Sequence, residues 1–97
     1  MNENESIPEI LQAEWSQDQV LALFADLSQG AEIEHVQLRT PSADQTISLA
    51  EAQSLFVQGC ATAIQVRYMF EGEMWCDTIL PGEPTTKIIR TKLPNHS

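Results

Sequence analysis

Apolar residues recur along this chain with two different periods, one helical and one extended. Val20, Leu23, Phe24 and Leu27 fall at the i, i+3, i+4, i+7 spacing that lines one side of a helix. Just before them, Ser16-Gln17-Asp18-Gln19 is a capping box, in which the serine serves free backbone N–H groups and the glutamine reaches back. Trp15 precedes the cap and Val20 is the fourth helical position, the spacing of a hydrophobic staple. Gly30 stands as a stop signal, so the pattern predicts a helix over 17–28. Leu49, Ala52, Leu55 and Phe56 repeat the period behind a second capping box, Ser48 to Glu51, and Gly59 ends it. That predicts a helix over 49–58.

Elsewhere the period is two. Residues 32–39 alternate with Val36 and Leu38 inward, and Ile33 breaks the parity, which predicts a strand with a bulge or a late start. Residues 40–46, with Pro41, Ser42 and Asp44, read as a loop. Ile64, Val66, Tyr68 and Phe70 alternate with Gln65, Arg67 and Met69 in a second strand over 62–70. Glu71-Gly72-Glu73 reads as a three-residue turn with a glycine bulge, returning as a third strand over 74–80. Pro81-Gly82-Glu83-Pro84 is a further turn, and 85–93 is a fourth strand closed by Pro94.

The order α-β-α-β-β-β implies an α+β fold. We expect a two-layer sandwich with both helices on one face of a four-stranded, mainly antiparallel sheet. The last three strands form a meander, and the first reaches the second through a helical crossover, right-handed if the two run parallel. Residues 1–14 read as an acidic tail, partly disordered, with a short helical turn opened by Pro8; residues 15–94 read as the single domain.

Charge changes this picture. The net charge is −9, and the first 38 residues hold Glu3, Glu5, Glu9, Glu14, Asp18, Asp26, Glu32 and Glu34 with no Lys or Arg. The bases are Arg39, Arg67, Lys87, Arg90 and Lys92. A phosphate backbone is repelled by such a surface, so nucleic acid is not an expected partner, whereas a basic protein is attracted. An acidic balance also simply keeps a protein soluble. No apolar run is long enough for a membrane, and the polar start, Met1 to Glu5, lacks the basic and apolar regions of a signal peptide. We expect a cytoplasmic protein.

Catalytic chemistry finds little to stand on. Cys60 and Cys76 have no CxxC spacing and no histidine pair nearby, so no metal is expected, and both read as free, small buried hydrophobes. His96 is penultimate, and His35 has Glu34 on the opposite strand face. The four glycines are dispersed at element ends, so no loop cradles phosphate and no cofactor is implied.

The stretch 64–80 is the most informative. With a three-residue turn, Met74, Cys76 and Thr78 join Ile64, Val66 and Tyr68, and Trp75 and Asp77 join Gln65, Arg67 and Met69 on the other face. A two-residue turn shifts this register. Trp75, Arg67, Met69 and Asp77 together have the composition of a partner-binding patch, with Arg67 stacked on Trp75 or paired with Asp77. Alternatively the tail folds over this face and Trp75 is ordinary core. The reading is a small acidic, non-catalytic protein-interaction or regulatory protein. The alternative is a small-ligand-binding or accessory domain, possibly homodimeric through the open sheet face.

Overall fold

A computed structural model describes residues 10–94. The element order is β1 (Ile10–Trp15), α1 (Gln17–Gly30), β2 (Glu32–Arg39), β3 (Asp44–Thr46), α2 (Leu49–Val57), β4 (Ala63–Phe70), β5 (Glu73–Leu80) and β6 (Thr86–Lys92). The fold is α+β, with two helices and one open six-stranded sheet in the order β1-β6-β5-β4-β2-β3, every neighbouring pair antiparallel.

Both helices start where their capping boxes sit. Ser16 Oγ accepts from the Gln19 N–H at 3.3 Å while Gln19 Oε1 accepts from the Ser16 N–H at 2.9 Å. Ser48 and Glu51 repeat the exchange at 3.1 and 3.0 Å. These bonds satisfy donors that have no partner inside the helix. Gly59 follows α2 at φ 74°, a left-handed position that suits glycine. Gly30 acts differently: it is the last residue of α1, and extended Ala31 ends the helix with its N–H on the Leu27 carbonyl.

Both helices pack on one face. Val20, Leu23, Phe24 and Leu27 of α1 and Ala52 and Phe56 of α2 form one cluster with Val36, Leu38, Ile64, Val66, Tyr68, Ile79 and Ile88 of the sheet. The Phe24 and Phe56 rings meet with centroids 6.0 Å apart, which locks the helices to each other.

Four expectations change. Ile10–Trp15, read as the end of a tail, is an edge strand paired with β6, and Pro8 and the first nine residues lie outside the described part. The stretch 40–46, read as a loop, contains the three-residue strand β3. The causes differ: β1 does alternate, with Leu11, Ala13 and Trp15 toward the helices and Gln12 and Glu14 away, but is a short edge strand; β3, Asp44-Gln45-Thr46, is exposed throughout and has no apolar residue. The sheet therefore has six strands, not four. Third, β2 and β4 run antiparallel. Because β3 reverses on β2, it is β3 that runs parallel to β4, and α2 is the crossover between those two, with β2 in the middle. The register shift in β2 between Ile33 and His35 is the bulge that its parity break implies.

Fourth, the β4–β5 turn has two residues, not three. Glu71 and Gly72 are both at positive φ, 52° and 79°, as a type I′ turn requires, and Phe70 pairs with Glu73. This choice brings Ile79 and Trp75 to the helix side with Ile64 and Tyr68, in place of Met74, Cys76 and Thr78. Asparagine suits the first left-handed position better than glutamate. Glu71→Asn is expected to stabilise the fold by about 0.5 kcal/mol, read as a rise in the denaturant midpoint with an unchanged slope.

Candidate functional site

The corrected register splits the residues that the sequence groups together. Trp75 and Asp77 face the helices, whereas Arg67 and Met69 lie on the uncovered face. Arg67 has Cys76 and His35 as cross-strand neighbours, not Trp75 or Asp77. Trp75 is half-buried against the core, opposite Tyr68 and Lys92.

Asp77 is fully buried, and its partner is Arg90, directly across on β6. Arg90 Nε donates to Asp77 Oδ1 and Nη2 to Oδ2, both at 2.8 Å, a bidentate fork. The Tyr68 hydroxyl donates to Asp77 Oδ1 at 3.0 Å from the diagonal position on β4. The carboxylate thus has three donors, and no buried side-chain N or O among the described residues lacks a partner. Burial first, and then the Asp77 charge, push the Tyr68 hydroxyl far above the ordinary tyrosine value. The hydrogen bonds to Asp77 raise Arg90, with burial opposing.

Tyr68 and Arg90 of this trio line a groove of about 750 Å³ beside α1, with Asp77 buried beneath them. Trp15, Leu23, Leu27, Tyr68 and Phe70 supply its apolar lining, Arg90 lies at its base, and Asp26 of α1 stands in its wall. Phe70 is 43% exposed and Leu11, at the start of β1 on the same face, is 57% exposed. The groove lies where α1, running from the end of β1 to the start of β2, leaves Arg90 of β6 and Tyr68 and Phe70 of β4 open at one corner of the sheet. Its helical wall carries one charge, Asp26, beside the amides of Gln19 and Gln29.

Sequence reasoning missed Arg90 and the groove. The available signal was Asp77 itself, a charge between apolar neighbours mid-strand. Such a residue demands a cation on the adjacent strand, and β6 offers one.

The thiol and imidazole do not assemble. Cys76 and His35 lie on the uncovered face with Arg67 between them, two strands and about 10 Å apart. Burial pushes the Cys76 thiol up, the opposite of an activated nucleophile. Cys60, expected in the core, is exposed after α2.

No protein-family model matches this chain, and neither a curated protein nor a solved structure shows significant similarity to it.

Removing the cation leaves Asp77 buried and uncompensated. Arg90→Met is expected to cost about 3 kcal/mol in denaturant unfolding, and the double variant Asp77→Leu/Arg90→Met to recover much of it. Alkali attacks the same trio from the other side. Because Tyr68 has a higher pKa folded than unfolded, its stabilisation is complete below about pH 10 and is lost as pH rises further. Tyr68 is the only tyrosine, so the ultraviolet phenolate signal should appear together with unfolding, not at the ordinary tyrosine pH.

Proposed function

We propose that this chain is a non-catalytic protein-interaction domain of the cytoplasm that takes a basic, apolar segment of another protein into the groove beside α1. The observation that carries the reading is the groove's make-up: an aromatic floor, a helical wall whose one charge is Asp26, and a single guanidinium already neutralised by Asp77. Trp, Tyr and Phe concentrate in contact surfaces, and Trp and Tyr dominate the energetics of hot spots. A Lys or Arg of the partner would stack on Trp15 or Phe70 and approach Asp26. The net charge of −9 would steer such a partner over longer range and repel nucleic acid. The separation of Cys76 from His35 supports a non-catalytic role, and two free thiols suit a reducing compartment.

A groove of about 750 Å³ also lies in the range of small-molecule sites. That favours a second reading, a small-ligand domain in which Arg90 orients an apolar carboxylate.

One binding experiment separates the two. A Lys/Leu amphipathic peptide is titrated against the protein by calorimetry at about 20 mM and about 300 mM salt, with a Glu/Leu peptide and phenylacetate as controls. We expect the Lys/Leu peptide to bind, and to bind at least about tenfold more weakly at the higher salt. Phe70→Ala and Asp26→Lys should each weaken it, and Glu83→Gln, away from the groove, should not. Equal binding of the Glu/Leu peptide, or indifference to Phe70→Ala, overturns the first reading; phenylacetate binding alone moves the assignment to the second.

A further inference from the structure

The face of the sheet away from the helices carries a second surface, distinct from the groove. Its rows follow from the register. At one end Glu32, Met69, Met74 and Leu93 lie side by side. Next come His35, Arg67, Cys76 and Thr91. The third row is Thr46, Gln37, Gln65, Thr78, Ile89 and Gln12, tied at its centre by Gln65 Nε2 donating to Thr78 Oγ1 at 3.3 Å. The last holds Asp44, Arg39 and Ala63 on one side and Leu80, Lys87 and Glu14 on the other.

A band without charge therefore runs down β5 and β6: Met74, Leu93, Cys76, Thr91, Thr78, Ile89 and Leu80. All seven are half-buried within a single chain, because each is flanked by neighbours on its own sheet while its outer side meets solvent. The charges lie around the band. Arg39, Arg67 and Lys87 offset Glu14, Glu32 and Asp44, and with exposed Glu34 in the bulge between Ile33 and His35 the face is close to neutral. Both helices, by contrast, hold Asp18, Asp26 and Glu51 and no base.

We infer that this face is the contact between two copies of the chain, packed sheet on sheet with the helices outside. Three magnitudes support the second copy as occupant. Strands about 4.8 Å apart and about 3.3 Å per residue give six strands of up to eight residues a face on the order of 700 Å². A stable interface needs about 800 Å² per partner, so the face is of the right size. Facing sheets sit about 10 Å apart with a helix layer about 10 Å beyond each. The two acidic helix layers would then be about 30 Å apart, several times the screening length of about 8 Å at physiological salt. The charge that repels two copies in other orientations is thus carried on the outside in this one. An acidic or basic foreign partner has no such match, because the face it would meet is close to neutral.

The test is the mass in solution. Light scattering after size exclusion, at about 50 μM, in the micromolar regime of modest affinities, is expected to give twice the 10.8 kDa of one chain. Thr78→Arg and Ile89→Lys each place a charge in the band on its outward side. Both are expected to be monomeric with unchanged far-ultraviolet dichroism and a melting temperature that no longer rises with protein concentration, and Asp26→Lys to remain dimeric. A monomeric wild-type protein overturns the inference and leaves the groove untouched, since groove binding is read separately. A dimer that survives both band substitutions overturns the choice of face. If the two variants lose their fold, protection of Cys76 from a maleimide that grows with wild-type concentration, with Cys60 labelled at the same rate throughout, supports the dimer, and concentration-independent labelling of Cys76 overturns it.

Discussion

A buried carboxylate governs how this sheet is assembled. Asp77 is shut off from water, and the effective penalty for such an ion is several kcal/mol unless a partner and further donors are in place. Those donors come from both flanking strands, Tyr68 from β4 and Arg90 from β6. The three central strands must therefore align in one register or leave the charge stranded. A slip of one residue would turn every side chain of β5 to the other face and separate all three groups at once. Hydrophobic burial makes the sheet stable; the ion pair makes its alignment unique.

Much of the secondary structure is legible in the chain, and the reasons are local. Both capping boxes are four-residue signals and both act as read. The bulge in β2 follows from one residue, Ile33, out of phase. The face assignment was not legible, and the cause is a single turn. Glu-Gly lacks the asparagine or aspartate that usually announces a type I′ turn, yet Glu71 adopts the left-handed position anyway. Burying Ile79 and Trp75 in place of Met74, Cys76 and Thr78 outweighs the strain at one surface residue. The candidate site inherits that error. Trp75 and Asp77 belong with Tyr68 and Arg90, and the grouping with Arg67 and Met69 dissolves. Strands β1 and β3 are a separate matter: Leu11, Ala13 and Trp15 carry a short alternation beside an acidic, polar run, and Asp44-Gln45-Thr46 has no apolar residue to alternate.

The two surfaces divide the physical work. The helix side keeps the acid and every aromatic ring: Trp15, Phe24, Phe56, Tyr68, Phe70 and Trp75. The opposite side keeps hydroxyls, amides, sulfur and balanced charge. Long-range attraction and aromatic contact thus reside on one side, and neutral, flat contact on the other. If the groove takes a partner and the flat face takes a second copy, as proposed, the two contacts would not compete, because they lie on opposite sides of the sheet.

The position of β1 has a consequence for how the protein comes into being. Among the described strands β1 is the first and its one sheet neighbour is β6, the last, so β1 has no place in the sheet until β6 has been made. Helix α1 can nucleate and β2 through β5 can associate while Leu11, Ala13 and Trp15 wait in water. The β1–β6 pairing is then a late step, made across nearly all of the described residues, and until it forms the outer edge of β6 stays open to any other extended chain.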